Sequence, residues 1–316
     1  MTVPGLRLAL LPTPLVPAPR LAGALGVVSL LVKRDDLTGF AVAGNKARQL
    51  EGLLAQAREA GADTLVTGGT PGSNFVQAAA AAAAFAGLRC VLVLAGAPVP
   101  ERSHPNLAAA TAWGAEVRFT GDPDRGSVDR GMPEVAAGLE ACGAHPLVVP
   151  RGGANAAGAA GYRLAVDEVL GQLGAERPVM VVATGAGGTL AGLVAGVVAT
   201  GRTLRVVGAS VSRPADEVAG RVLALSREVA AQRSEPLPEP CDVHVVDARF
   251  AGHALPSQQA DAAADLALRT AGLVLDPVYT AKALAVLPEV TGGAPALFWH
   301  TGGLLDAVAG LMTGTP

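Results

Sequence analysis

Lysine is nearly absent from this chain of 316 residues: three lysines stand against 21 arginines. Richness in alanine, glycine and arginine fits a GC-rich coding bias, which replaces lysine wherever any cation will serve. Arginine stays protonated at any working pH, whereas a lysine amine can shed its proton and act as a nucleophile. Lys33, Lys46 and Lys282 are therefore each worth asking about. Cysteine is also sparse: Cys90, Cys142 and Cys241 are far apart and form no CxxC pair. That excludes a disulfide framework and suits a reducing compartment. Cys90 lies in the apolar run 90–94 and reads as a buried, inert thiol.

Charge of one sign is lacking too. The formal balance is −3, with no basic stripe for nucleic acid and no polybasic stretch for a membrane surface. No run reaches the ~18–20 apolar residues of a spanning helix. The start, Met1-Thr-Val-Pro-Gly-Leu-Arg, has neither the basic region nor the long apolar core of a secretory leader. The expectation is a cytoplasmic protein acting on a small molecule. The five histidines show no zinc-binding spacing, and no G-x-S-x-G elbow occurs.

Half of the residues are apolar, ample for a large core. Short apolar runs alternate with alanine-rich helical stretches. Strands are expected at 27–33, 65–67, 90–94, 116–119, 147–149, 179–183, 204–209, 243–246 and 296–300. Helices are expected at 45–61, 74–86, 106–113, 132–141, 156–173, 188–200, 217–232, 258–270 and 279–287, with one more at the C-terminal end. The stretches 120–131 and 232–240 read as surface connections. Such alternation predicts an α/β fold with parallel sheets flanked by helices. The strands are too many for one tidy sheet. Two domains are expected: a large one from 1–49 and 152–316, and a small one, 50–151, inserted into it. Ligands bind beyond the carboxyl ends of such strands, which gathers the loops after Thr67, Ala183 and His300 around one cleft.

Three stretches could carry chemistry. Thr184-Gly-Ala-Gly-Gly-Thr189 joins an apolar strand to a helix, so its amides and the helix dipole can hold an anion, helped by the Thr184 and Thr189 hydroxyls. No Gly-Lys-Ser/Thr follows, and Leu190 stands where a dinucleotide fingerprint needs glycine. A phosphate-bearing ligand of another kind fits, although a packing turn would use the same glycines. In Asn45-Lys46, Asn45 reads as a helix cap and Lys46 as a first-turn residue, where the dipole opposes its charge and lowers its pKa. Lys33, in a charged cluster, is expected to pair with carboxylates, and Lys282 to face solvent. Gly72-Ser73-Asn74-Phe75 opens another helix after a glycine turn, offering amides and short polar side chains to a carboxylate, or simply capping the helix.

Together these stretches resemble the D-cysteine desulfhydrase and 1-aminocyclopropane-1-carboxylate deaminase family. The resemblance runs in order through Lys33-Arg-Asp-Asp-Leu-Thr-Gly, Gly44-Asn-Lys46-Ala-Arg48-Gln-Leu-Glu51, Gly61-Ala-Asp-Thr-Leu, Ser73-Asn74 with Gln77, and the Gly185–Thr189 loop. It ends with Asp276-Pro-Val-Tyr279-Thr280 and His300-Thr-Gly-Gly303. It implies the two-domain fold of the tryptophan synthase β-like (fold type II) enzymes, with pyridoxal 5′-phosphate as cofactor, a small amino acid as substrate, and a homodimer.

By the same resemblance, Lys46 would hold the cofactor as a Schiff base and shuttle the substrate's α-proton. Asn74 would meet the cofactor's phenolic oxygen, while Gly185, Ala186, Gly187, Gly188 and Thr189 would cradle its phosphate. Ser73 would contact the substrate carboxylate or take part in proton transfer, and Tyr279 would be an active-site tyrosine. Thr280, matching the desulfhydrase branch rather than the deaminases' glutamate, would be a neutral partner for the pyridine nitrogen, which favours elimination at the β-carbon. Two departures bear on substrate. The family's Gln-Ser-Asn-His is here Gly72-Ser73-Asn74-Phe75, and its Tyr-Gly-Xaa-Pro segment is matched only by Ala251–Pro256, where His253 stands nearest the tyrosine. These imply more room near Gly72, an apolar wall at Phe75 and His253 as a replacement acid/base. The expected reaction is α,β-elimination. β-Replacement, ring opening and binding of the cofactor without catalysis remain open as alternatives.

Overall fold

The computed structural model describes residues 6–313; residues 1–5, where the leader reading mostly falls, and 314–316 lie outside the described residues. In chain order the elements are β1 (Leu15–Pro17), α1 (Pro19–Leu25), β2 (Leu30–Arg34), α2 (Lys46–Glu59), β3 (Thr64–Gly69), α3 (Asn74–Ala86) and β4 (Arg89–Leu94). Next come α4 (Pro105–Ala112), β5 (Glu116–Phe119), α5 (Gly126–Glu140), β6 (Pro146–Val148), α6 (Ala156–Leu173), β7 (Val179–Thr184) and α7 (Gly188–Ala199). The chain ends with β8 (Arg205–Ser210), α8 (Ala215–Gln232), β9 (His244–Asp247), α9 (Gln258–Ala271), α10 (Thr280–Thr291), β10 (Ala296–His300) and α11 (Leu304–Thr313).

The strands form two sheets, one in the order β1-β2-β10-β7-β8-β9 and one in the order β5-β4-β3-β6. β1 runs antiparallel to β2, and the other pairings are parallel. The period-2 alternation of a strand sorts its side chains between two covers. Val181, Ala183 and Phe298 pack under α1, α9 and α10, whereas Met180, Val182, Leu297 and Trp299 pack under α6, α7 and α8. In the smaller sheet Leu65, Leu92 and Leu94 face α2, α3 and α4, and Val66, Val91 and Val93 face α5. With both faces covered, the strands can be apolar throughout, as their sequences are.

The α6–α7 contact shows how tightly the layers fit. A Cβ on Gly192 of α7 would lie 2.2 Å from the Ala159 carbonyl oxygen of α6, so glycine permits the close approach of the two backbones.

Three local expectations are corrected. The 120–131 connection gives way at Gly126 to the first turn of α5, whose Val128 is fully buried against the small sheet and holds the segment helical. Lys282 does not face solvent: its side chain is buried, and its Nζ donates to the carbonyls of Arg249 (3.0 Å) and Gly252 (2.6 Å). Asn45 precedes α2 but makes no side-chain cap; its Nδ2 donates to Thr189 Oγ1 at 3.0 Å.

Lys33 pairs as expected, inside a buried network. Its Nζ meets Glu168 and donates to the Thr13 carbonyl at 2.7 Å and Gln172 Oε1 at 2.7 Å. Arg48 of α2 lies between Asp35 (Nη2–Oδ1 2.9 Å, Nε–Oδ2 3.0 Å) and Glu168 (Nη2–Oε1 2.8 Å). Tyr162 Oη and Trp299 Nε1 complete the shell of Asp35 at 2.6 and 2.8 Å. Although burial opposes its charge, Arg48, Tyr162 and Trp299 hold Asp35 below the usual carboxylate range. Glu168 is likewise held low, against burial, by Arg48 and Lys33.

Breaking a buried ion network by removing one partner typically costs about 3–5 kcal/mol. Arg48→Leu is expected to lower the unfolding free energy by about that amount at neutral pH, measured by urea denaturation. Because both carboxylates titrate below their unfolded-state values, the network's contribution persists above the ordinary carboxylate pKa and fades as pH falls through the lowered ones. An unchanged urea midpoint in Arg48→Leu would show that the network carries no stability.

Candidate active site

α2 is fixed at its first turn from three sides. The Asn45 amide donates to the Thr301 carbonyl at 2.9 Å. The Asn45 side chain ties the same turn to Thr189 on α7, and Arg48 anchors it from below. Lys46 is thereby presented to a cleft at the carboxyl ends of both sheets. Its Nζ lies 6.0 Å from the centroid of the Phe75 ring. Burial alone lowers its pKa to about 8. The dipole argument gave the right direction, but desolvation is the cause seen in the structure.

Around Lys46 the cleft is walled by Ser73, Asn74 and Phe75 from the start of α3, by Thr184 through Thr189, and by His253 and Tyr279. The loops after β3, β7 and β10 therefore meet, as the topology implied. Among the described residues neither Ser73 nor Asn74 has a side-chain hydrogen-bond partner, and Ser73 precedes α3 without capping it. Phe75 is buried in the small-sheet core and edges the cleft.

Two expected residues lie elsewhere. Gly72 is not in the cleft wall; a Cβ there would lie 2.9 Å from His104 Cε1, so the space beside it is already filled by the His104 ring. Thr280 is fully buried outside the wall, its hydroxyl donating to Asp276 Oδ2 at 2.6 Å.

The Thr184–Thr189 turn is shaped for an anion. Gly187 has φ 96° and precedes α7, leaving that helix's first amides free of helical partners. A Cβ on Gly185 would lie 3.0 Å from Tyr279 Cε1, and one on Gly188 2.9 Å from Gln49 Nε2. Thr184 Oγ1 and Gln49 Oε1 are buried without partners among the described residues. Buried polar atoms rarely stay unsatisfied, so orphans lining a cleft point to a ligand.

Tyr279 and His253 meet edge to face, ring centroids 6.2 Å apart. Burial pushes the Tyr279 phenol above its ordinary pKa and, with the nearby Arg125 charge, drops His253 to about 4. Both are therefore neutral near pH 7, and His253 Nδ1 is buried without a partner among the described residues. Lys282, corrected above, clamps the loop that leads into His253.

Sequence reasoning missed several residues of the wall: Asn45, Gln49, Arg125, Asp129, Arg151, Arg213, Arg221, Asp276 and Thr301. Asn45, Gln49, Asp276 and Thr301 lay in quoted motifs without being assigned to the cleft; the arginines carry no local signature and come together only through the fold. Asp276 accepts the amides of Val278 (3.0 Å), Tyr279 (2.7 Å) and Thr280 (3.0 Å), which fixes the turn that carries Tyr279.

A parallel α/β frame with a desolvated lysine beside a glycine-rich anion cradle defines a class of enzyme that joins a phosphorylated aldehyde to its own amine. Comparisons agree. The family described as pyridoxal-phosphate dependent enzyme matches residues 6–302. D-cysteine desulfhydrase of Salmonella typhi is 37% identical over 319 residues, covering 95% of this chain and 94% of that protein. The Klebsiella pneumoniae (strain 342) enzyme of the same name is 38% identical over 314 residues, with the same coverage. A crystal structure of an ACC deaminase homologue superposes with a TM-score of 0.90 at 32% identity, over 97% of this chain and 94% of that one.

The chain belongs to the pyridoxal-phosphate-dependent enzyme family, has the fold type II architecture, and uses pyridoxal phosphate. The residues present fit that group: the Gly185–Thr189 amides and the orphaned Thr184 hydroxyl suit its phosphate, and Lys46 suits its aldehyde.

Only the neutral amine condenses with an aldehyde. With a pKa of about 8, Lys46 of the cofactor-free protein is expected to combine with pyridoxal phosphate at a rate that rises with pH and levels off above about 8. Borohydride trapping followed by peptide mapping reads this directly. A midpoint near the ordinary lysine value would remove the desolvated-amine reading.

Proposed function

We propose that the protein is a D-cysteine desulfhydrase-like lyase, removing the α-proton and a β-substituent from a small amino acid. The observation that carries this is the meeting in one cleft of the Lys46 amine, the free Ser73 and Asn74 side chains and the Gly185–Thr189 anion cradle. The similarity to desulfhydrases along nearly the whole chain supports the same reading.

The bound cofactor would supply an electron sink for the pair left when the α-proton departs. The protein's own residues do the rest. The Gly185–Thr189 amides would hold the phosphate end and Asn74 the phenolic oxygen. Ser73 and the first amides of α3 orient the substrate carboxylate, which sets the Cα–H bond toward Lys46. Lys46 Nζ, which would hold the aldehyde of the bound cofactor, would accept the α-proton. Tyr279, kept protonated by burial, donates to the departing thiolate. His253, held neutral at working pH by burial and the Arg125 charge, is too weak a base to take the proton and instead offers its ring to a hydrogen bond from substrate or water. For D-cysteine the Cβ–S bond breaks with its electron pair, and the unsaturated amine released hydrolyses to pyruvate and ammonia.

Thr280 is spent on Asp276, so of the groups near the expected ring-nitrogen partner it is Asp276 and Thr301 that line the cleft. The elimination reading therefore rests on Lys46, Tyr279 and the cradle rather than on a neutral threonine. We place the enzyme in the cytoplasm as a homodimer. The exposed free thiols Cys142 and Cys241 support a reducing setting. The exposed Leu10, Leu11 and Leu37 lie around the segment where Leu10 hydrogen-bonds to Thr38, and they support a buried contact with a second copy.

D-cysteine incubated with the cofactor-loaded enzyme is expected to yield sulfide, pyruvate and ammonia in equal amounts without a second nucleophile. Lys46→Ala should abolish all three along with the visible absorbance of the bound cofactor. Firm cofactor binding with no turnover across a broad amino-acid panel would overturn the lyase reading. Phe75→His, which puts a polar ring beside Lys46, is expected to raise D-cysteine turnover; unchanged kinetics on every substrate would remove Phe75 from specificity.

A further inference from the structure

The cleft holds more positive charge than the proposed reaction uses. Lys46, Arg125, Arg151, Arg213 and Arg221 line it against two carboxylates, Asp129 and Asp276. A phosphate monoester brings about two negative charges, which still leaves the site cationic before substrate enters. Most of these cations are accounted for. Arg151 pairs with Asp129 (Nε–Oδ1 2.7 Å), Arg213 pairs with Glu217, and Arg221 is exposed to water. Arg125 differs from them: it is half-buried and has no carboxylate partner among the described residues.

Arg125 stands immediately before α5, on the small-sheet side of the cleft. Its charge is felt by Tyr279 and His253 on the opposite wall. Lys46, by contrast, is perturbed by burial alone. Arg125 thus lines the same cleft in which the Tyr279 and His253 rings meet. A half-buried guanidinium held in no salt bridge among the described residues is free to pair with a ligand anion, and its planar donors match a carboxylate, sulfonate or sulfate oxygen pair.

Resting on the lyase reading above, we propose that Arg125 is a specificity-determining residue that selects amino acids whose β-carbon carries an anionic sulfonate or sulfate leaving group. In such a substrate the α-proton passes to Lys46. The bond from Cβ to the sulfonate sulfur, or to the ester oxygen of a sulfate, breaks with its electron pair staying on the departing sulfite or sulfate, and water completes the release of a 2-oxo acid and ammonia. No oxidant or reductant is required. As the anion departs, Arg125 and the Tyr279 phenol take up the charge that forms on it.

The test compares O-sulfoserine, with an anionic leaving group, and β-chloroalanine, with a neutral side chain, each as both enantiomers, on the cofactor-loaded enzyme. The wild type is expected to favour O-sulfoserine in kcat/KM. Arg125→Gln should lose about tenfold to hundredfold more on O-sulfoserine than on β-chloroalanine, the size of a charge-assisted contact, and Arg125→Lys should recover part of it. Calorimetry supplies a readout without turnover: succinate should bind the loaded wild type more tightly than propionate, and Arg125→Gln should erase the difference. Equal losses on both substrates together with weakened pyridoxal phosphate binding would overturn the proposal and place Arg125 at the phosphate. If neither substrate turns over but succinate discrimination is present and depends on Arg125, the lyase reading fails while the anion site stands. If succinate and propionate bind alike, the anion site fails.

Discussion

The placement of the catalytic amine depends on a buried ion network that it does not touch. Arg48 sits two residues beyond Lys46 on α2 and is held between Asp35, at the end of β2, and Glu168, on α6. Those partners belong to the six-stranded layer, whereas the apolar side of α2 (Leu50, Leu53 and Leu54) packs into the four-stranded one. α2 thus spans both halves of the molecule, with its ion pairs on one side and its hydrophobic contacts on the other. Hydrophobic burial is non-directional, and alone it would let the helix slide or roll. Hydrogen-bonded charges with Tyr162 and Trp299 behind them restrict it to one rotation and one register. We take this to be why so costly a group of charges is kept in the core.

All three lysines turn out to be placed where arginine would fail or fit poorly. Lys46 must lose a proton. Lys33 threads a compact ammonium between Glu168, Gln172 and a backbone carbonyl. Lys282 reaches two carbonyls of the loop that precedes His253. A planar five-donor guanidinium would bring donors with no acceptors to meet in either of those buried settings. The residue the coding bias left behind marks chemistry once and tight packing twice.

Much of the frame was legible because parallel strands covered on both faces are continuous apolar runs, and α3, α6, β5 and β10 fall where periodicity puts them. β1 and α1 were missed because Leu15–Pro17 has three residues and α1 seven, too few to show a period. The first turn of α5 was misread because Asp124, Arg125 and Gly126 carry a turn's composition; the burial of Val128 against the small sheet overrides it. Lys282 was misread because its partners are backbone carbonyls, which leave no trace in sequence. The glycine cradle and Lys46 could be read because they depend on local order along the chain. Arg125, Arg151 and Arg221 could not, because each is an ordinary surface-type residue until two sheets bring it to the same cleft.

The electrostatics of that cleft divide into two regions by mechanism of perturbation. Around Lys46 only desolvation acts, so the amine is poised near neutrality without a neighbouring cation to repel it or a carboxylate to trap it. A carboxylate within reach would raise its pKa and hold its proton, which would defeat its use as a base. At His253 the Arg125 charge adds to desolvation, and at Tyr279 it opposes it. There, neutral proton donors and acceptors sit beside a fixed cation, an arrangement that stabilises negative charge as it forms rather than removing a proton. A base without counter-charge and a positive field in the same cleft serve elimination across a Cα–Cβ bond, since the proton leaves from one carbon and the anion from the next.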